Sequence, residues 1–267
     1  MNNTEFDSKI CHIRILSSNI LFGDTLAGRI PLIGEYYRDS DADIIGVQEM
    51  GKPGLALYSS LADIYTPVAT HHGEEKRCYT PIFYRTERFD LLESGCEVHR
   101  MRANDTKSFA WVVLKDKKTE KKLAYINTHS AIICAWYQGA TDSVEGEEWR
   151  VDNIRQMLEK KGEFIQKYGQ ELAVFIGGDF NAKPHHSSVQ LMKQFMTDSA
   201  DIATEKATRG IKSYHGIPGR PCEAGEPIDF VFVDPDRVEV LTHTIMSDER
   251  SLSISDHCPV CVEAVLK

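Results

Sequence analysis

The stretch Leu172-Ala173-Val174-Phe175-Ile176-Gly177-Gly178-Asp179-Phe180-Asn181 decides the reading of this chain. Five apolar residues make a run of strand length. It closes on a glycine pair, a carboxylate and an amide. The same grammar recurs at the other end, where Ser255-Asp256-His257 abuts the apolar run Cys258-Pro259-Val260-Cys261-Val262. A third instance is Gln48-Glu49 after the apolar stretch from Asp43. Each places a carboxylate where a buried strand meets a loop, and there α/β proteins keep their chemistry. Three such ends point to metal-assisted phosphate hydrolysis.

Working outward, Ile13 and Ile15 with Ser17-Ser18-Asn19 read as a first strand. Asp43–Glu49, Pro81–Arg85, Phe89–Leu92, Phe109–Leu114, Leu123–Thr128, Leu172–Ile176, Ile228–Val233, Val238–Ile245 and Pro259–Leu266 read as further strands. Arg29–Arg38, Leu55–Leu61 and Ser187–Phe195 read as helices. Trp149, Ile154, Leu158, Ile165 and Tyr168 recur at near-helical spacing, which predicts a long amphipathic helix over Glu147–Tyr168. Ala135–Gly146 and Thr208–Gly225 read as loops. Several strands are joined by short turns, so the sheets should be mixed and largely antiparallel, with helices packed outside. The expectation is one domain over 1–267, an α/β (α+β) sandwich of two sheets.

Composition bounds the function. With 267 residues, 42% of them hydrophobic, the chain can bury a large core. No apolar run reaches the roughly 18–20 residues that span a bilayer. The start lacks the basic and apolar segments of a signal peptide, and seven scattered cysteines suit reduced thiols, so a cytoplasmic monomer is expected. Cys258 and Cys261 match Cys-x-x-Cys, but residues three apart on a strand face opposite ways, which favours two core cysteines. The net charge is −9. A protein that grips long nucleic acid shows a basic face. Nucleic acid is a possible partner, but the one basic run, Lys115–Lys122, reads as a hairpin turn between two strands.

Asn19, Glu49, His129, Asp179, Asn181, Asp229, Asp256 and His257 all lie at or near the ends of apolar runs. Carboxylates gathered on one rim repel one another unless a cation or a histidine offsets them. A hard ion such as Mg²⁺ or Mn²⁺ suits such oxygen donors, with water and a substrate phosphate completing its shell. Taken singly, each residue has an ordinary reading as a turn, a solvated acid or a satisfied core histidine.

In series they are recognisable. Ser18-Asn19-Ile20, Gln48-Glu49, Asn127-Thr128-His129, Gly178-Asp179-Phe180-Asn181, Ile228-Asp229-Phe230-Val231 and Ser255-Asp256-His257 follow in an order that resembles the endonuclease/exonuclease/phosphatase superfamily. The resemblance runs from Ile13 to Val265 and implies a four-layer α/β sandwich. It implies Glu49 as the main metal ligand, with Asn19 supporting it or touching phosphate and Asp256 facing the metal side. It implies Asp179 as the base that orients and deprotonates water, with Asn181 on a phosphoryl oxygen. Asp229 would pair with His257, and His129 would be a second histidine on the phosphate. Two departures stand out. Leu21 stands two residues after Asn19, where abasic-site endonucleases carry an Asp, and Cys78 takes the place of a carboxylate that usually braces the first histidine, leaving Glu75 as a candidate partner for His129. Trp136, Tyr137 and Trp149 are candidates for a substrate wall, or for helix packing. His215 is a candidate for substrate contact, because long loops in compact domains tend to be functional. His71-His72 and His185-His186 are expected at the surface.

The implied activity is a divalent-metal-dependent phosphodiester hydrolase, a nuclease among the options. The alternative is a phosphomonoesterase acting on a small molecule or lipid headgroup.

Overall fold

In the computed structural model, residues 10–72, 76–133 and 142–267 are described. Fifteen strands form: β1 Cys11–Asn19, β2 Ile44–Gln48, β3 Tyr65–Val68, β4 His71–His72, β5 Lys76–Arg77, β6 Ile82–Arg85, β7 Phe89–Val98, β8 Ser108–Asp116, β9 Lys122–His129, β10 Ala173–Asp179, β11 Thr197–Asp198, β12 Lys206–Ala207, β13 Asp229–Val233, β14 Val238–Ile245 and β15 Val260–Leu266. The helices are α1 Leu26–Asp39, α2 Ala56–Ser60, α3 Val144–Tyr168, α4 Ser187–Lys193, α5 Ser199–Ile202 and α6 Glu249–Ile254, with a 3₁₀ turn at Lys52–Leu55.

One sheet has seven strands in the order β12-β14-β15-β1-β2-β6-β3, and the other six in the order β11-β13-β10-β9-β8-β7. Only β1–β2, β12–β14 and β9–β10 pair in parallel within them. Period-2 alternation explains the layers. Ile13 and Ile15 of β1, Phe175 of β10 and Val260 of β15 face an interior shared by both sheets. Leu16 and Ile45 turn outward onto Ile30, Ile33 and Tyr37 of α1. Val174 and Ile176 turn outward onto Ile154, Met157 and Phe164 of α3. The result is the expected four layers of helix, sheet, sheet and helix.

Local chemistry sets the boundaries. Ser143 caps α3 by accepting from Gly146 N, acidic Glu145 and Glu147 occupy its first turn, and Gly169 at φ 95° ends it. Its buried face runs through Arg150, Ile154, Met157 and Phe164 rather than Trp149, which is half-buried. The Lys115–Lys122 run is the β8–β9 hairpin turn, where Asp116 Oδ1 accepts from Lys118 N at 3.0 Å and Thr119 N at 2.7 Å. Cys258 and Cys261 are both buried and belong to different core clusters, and neither is in a disulfide. No described helix is long and apolar enough to cross a membrane.

The two sheets approach closely at one place. A Cβ on Gly46 of β2 would stand 2.4 Å from Tyr125 Oη and 2.7 Å from Asn127 Oδ1 on β9, so only glycine fits there. Asn127 uses that proximity. Its Nδ2 donates across the gap to Val47 O at 2.8 Å and Thr80 O at 3.0 Å, while its Oδ1 accepts from Gln48 Nε2 at 2.6 Å. This fastens β9 to the end of β2, one residue from Glu49.

Candidate active site

Backbone register builds the centre. Asp179 ends β10 and pairs with His129 of β9 on one side and Asp229 of β13 on the other. Three functional side chains therefore sit on one row of the sheet. Across the interface, β1 delivers Asn19 opposite Gln48, and the chain turns sharply after each strand. Leu21, Glu49 and Asn181 all have positive φ, at 54°, 62° and 49°. Left-handed backbone is costly for such residues and concentrates at functional sites. Gly178, with φ +142°, lets β10 pass β9, since a Cβ there would strike Thr128 O at 2.0 Å.

Asp179 is the hub. Asn19 Nδ2 donates to its Oδ2 at 3.0 Å, and its Oδ1 accepts from Asn181 N at 2.8 Å. His129 Nε2 lies 3.4 Å and His257 Nε2 3.8 Å from Oδ2. Burial, reinforced by Asp229, pushes its carboxyl up to about 6. His257 Nδ1 donates to Asp229 Oδ2 at 2.9 Å, and that oxygen also accepts from Ser213 Oγ at 2.7 Å. Burial alone would lower the His257 pKa, but Asp229 and Asp179 outweigh it and hold the ring well above its ordinary range. His257 is thus an imidazolium fixed in orientation by its partner.

Glu49 is the least buried of the carboxylates. Its Oε2 accepts from Phe22 N at 2.7 Å, and its Oε1 has only a long 3.4 Å contact with Asn19 Nδ2 and stands 3.8 Å from His129 Nε2. One carboxylate oxygen therefore lacks a short hydrogen bond among the described residues. This oxygen, joined through Asn19 to a second carboxylate, fits a hard divalent ion. Asn19 supports Glu49 rather than offering an oxygen, because its Oδ1 accepts from Leu21 N at 3.0 Å and its N–H bonds face both carboxylates. Asp256 is buried at the end of the loop before β15, and its backbone oxygen accepts from His215 N at 2.8 Å. Its charge acts on Arg29 and His257. The atoms of Asp179, Asp229 and His257 are also close enough to hold an ion. The Asp229 oxygen there is already committed to His257 and Ser213, so a histidine dyad describes that group better. Asn181 spends one amide N–H on Ser130 O at 3.0 Å.

Three further residues belong to the site: Lys107, Arg29 and Ser213. Lys107, which directly precedes β8, is buried at 6% exposure and hydrogen-bonds His129 Nε2. Burial lowers its pKa, while Asp179 and Glu49 act to raise it. His129 is correspondingly neutral, its pKa well below the ordinary range through burial and then Lys107. Burial thus works against the charged form of both groups at this corner. Counting back along the β8–β9 hairpin, where Lys115 faces Lys122, puts Ser108 opposite His129 and could have exposed Lys107. Arg29 of α1 lies below the rim and donates to Ile20 O at 2.7 Å, Leu21 O at 2.6 Å and Ile254 O at 2.5 Å. It joins the loops that carry Asn19 and Asp256; an arginine on an apolar helix face was the available signal. Ser213, in the long loop, orders Asp229 and gave none.

Glu75, Trp136 and Tyr137 lie outside the described residues. His215 is buried; its Nδ1 bonds Ile217 O at 3.1 Å, and neighbouring Tyr214 packs on His257 with ring centroids 5.0 Å apart. His185 is exposed, but His186 is largely buried, 3.1 Å from Asp142 Oδ1, and its Nδ1 accepts from Lys183 N. It organises the turn before α4 instead of lying free at the surface.

Comparison with known proteins agrees with this geometry. No curated protein sequence matches the chain. Among solved structures, an endonuclease/exonuclease/phosphatase from Bacteroides vulgatus is similar over 96% of this chain and 100% of its own, with a TM-score of 0.79 at 23% identity. A mannosyl-6-phosphatase from Bacteroides thetaiotaomicron is similar over 95% and 100%, with a TM-score of 0.74 at 24% identity. Truncated TDP2 from Caenorhabditis elegans is similar over 96% and 98%, with a TM-score of 0.69 at 19% identity. At these identities the likeness concerns the fold. The profile of the Endonuclease/Exonuclease/phosphatase family spans residues 16–257, from the first strand to His257, so the chain belongs to that family, whose enzymes hydrolyse phosphoester bonds and generally depend on a divalent metal.

Proposed function

We propose that this chain is a divalent-metal-dependent phosphodiester hydrolase that acts on small or locally exposed esters, through a single domain spanning 1–267. One observation carries the reading. Asp179 is a buried carboxylate with a raised pKa, within 3.8 Å of His257 and 3.4 Å of His129. A carboxylate so placed can take a proton from water at neutral pH.

The residues divide the work. Asp179 orients and deprotonates the attacking water. His257, kept cationic by Asp229, donates to a phosphoryl oxygen, and the free N–H of Asn181 donates to another. Glu49 would hold Mg²⁺ or Mn²⁺, with Asn19 steadying its carboxylate and Asp256 on the same side through water. When bound, that ion would polarise the phosphoryl group and offset its developing charge.

Duplex nucleic acid is disfavoured as substrate. Arg100 stands beside Asp152 and Glu159, and Arg102 pairs with Asp105, so these two charges are already engaged. Buried Lys107 favours a second reading, a phosphomonoesterase. Together with His257 it gives the site two nitrogen donors, which suit a monoester phosphate with its extra terminal oxygen.

The test is a panel with Mg²⁺ or Mn²⁺: generic diester, generic monoester, plasmid DNA, single strands, RNA and sphingomyelin at equal phosphate. Fastest turnover of the generic diester is expected. Hydrolysis of monoesters alone would replace the first reading by the second. Efficient plasmid nicking that falls steeply with salt would show a basic surface and overturn the substrate preference.

A further inference from the structure

Phe22 is a large apolar residue that the fold holds in place without burying it. It remains 52% exposed. Its N–H donates to Glu49 Oε2 at 2.7 Å, which ties its backbone to that carboxylate. The ring lies on Gly51, where a Cβ would stand 2.1 Å from Phe22 Cδ2 and 2.4 Å from Cε2. It meets Tyr79 edge-on, with centroids 6.3 Å apart and planes at 86°. Leu21, in left-handed backbone at φ 54°, makes the turn that delivers it. Backbone strain of that kind persists where the surroundings require it. A side chain that only filled space would need neither a seat on Gly51 nor so much of its surface in water.

Tyr214 flanks the other end of the same group of acids and histidines. It is 47% exposed, and its ring centroid lies 5.0 Å from that of His257. Ile217, three residues on, is exposed as well. The Tyr214 phenol is pushed up by burial and then by Asp256, Asp179 and Glu49. Its hydroxyl therefore lies within electrostatic range of the carboxylate that holds Phe22. The polar centre is thus bordered by exposed apolar residues on its Glu49 side and on its His257 side. A phosphate group gains nothing from such surface, but a substituent on the ester does. The phenylalanine side chain offers no hydrogen bond, only a flat π face, and such a face suits another flat ring in offset or edge-to-face contact.

We propose that Phe22 is a specificity residue: its exposed ring, seated on Gly51 and Tyr79 beside Glu49, stacks on a planar aromatic substituent of the phosphoester. This inference rests on the phosphoester-hydrolase reading and names the class of ester within it.

The experiment measures the affinities of phenylphosphonate and methylphosphonate, which carry the same charged group on an aryl or a methyl substituent and have no ester bond to break. Calorimetry in saturating Mg²⁺ compares the full chain with Phe22→Ala, Phe22→Leu, Phe22→Tyr and Gly51→Ala, each checked for folding by circular dichroism. The wild type should prefer phenylphosphonate. Phe22→Ala and Phe22→Leu should reduce that preference by about threefold to tenfold, the range of one aromatic pair, with methylphosphonate affinity unchanged. Phe22→Tyr should keep the preference. Gly51→Ala should lower it, because the new methyl displaces the ring from its seat. A preference that survives in Phe22→Ala would overturn the proposal. So would an equal loss for both phosphonates, since Phe22 would then act only as a brace for Glu49. Full preference in Phe22→Leu would show apolar contact without stacking and overturn the choice of an aromatic substituent. A wild type that binds neither phosphonate would refute the functional reading itself. A wild type that binds both equally well would refute this inference alone.

Discussion

Replacing Asn127 tests whether the two sheets are fastened where the site needs them. Asn127→Leu conserves volume but removes four hydrogen bonds at once, to Val47 O, Thr80 O, Pro81 O and Gln48 Nε2. All the groups involved are buried. Leaving such partners unsatisfied costs about 1–3 kcal/mol each. Gln48 keeps Ser17 Oγ at 3.1 Å, so its loss falls at the low end. The expected total is roughly 3–6 kcal/mol, a large share of the ~5–15 kcal/mol that holds a typical domain together. Urea unfolding followed by circular dichroism should show a lower midpoint with an unchanged slope, the sign of lost stability in an otherwise similar native state. Glu49 directly follows Gln48, so divalent-ion affinity should weaken as well. Asn127→Asp should be no better at pH 8, because it loses both donors and buries an unpaired charge, and it should recover partly toward pH 5 as that carboxyl is protonated. A Leu variant within about 1 kcal/mol of wild type would refute the idea that this amide joins the sheets.

Chelation with EDTA should abolish hydrolysis, with Mg²⁺ or Mn²⁺ restoring it, and Glu49→Ala should lose metal affinity in calorimetry without unfolding; full activity in chelator would end the metal hypothesis. His257→Ala should slow turnover by roughly 10²–10⁴-fold, the span of a positioned acid–base group. Asp229→Asn should fall in the same direction with its fold intact, and wild-type rates in either variant would remove the dyad from the mechanism. His99 is fully buried on Thr128 and is held neutral by burial and Lys107, its pKa pushed down to about 3. Between pH 6.5 and about 3 the unfolded chain binds a proton that the folded chain refuses, so this stability is lost as pH falls, by about 1.4 kcal/mol per unit. The stability gap between wild type and His99→Asn should therefore narrow on acidification, and a gap constant from pH 7 to 4.5 would contradict the assignment.

Strands with clean alternation or continuous burial were legible, because period and length survive in one dimension. The strand Tyr65–Val68 was not. It contains Pro67, which argues against a strand, and it is tolerated because β3 is the outermost strand of its sheet. The strand ending at Asp179 runs three residues beyond the apolar run Leu172–Ile176, because the glycine pair is paired into the ladder. At the site, the acids and histidines were visible because they end apolar runs in a recognisable order. Lys107 was not, because one lysine beside a strand is ordinary until the register shows what it faces. Ser213 acts only through tertiary contact with Asp229, and nothing near it in sequence announces that.

The row His129–Asp179–Asp229 has a consequence for how such a molecule can diverge. Neighbouring strands are about 4.8 Å apart, a pitch set by peptide hydrogen bonds and indifferent to side chains. The separation of these three positions is therefore a property of the lattice rather than of the residues that occupy it. Mutation can change the occupants, but it cannot re-space them short of a register slip that would turn the whole strand inside out. New substrates must then be accommodated at the margin, in the turns after β1 and β2 and the loop that carries Tyr214, while the ruled grid beneath stays as it is.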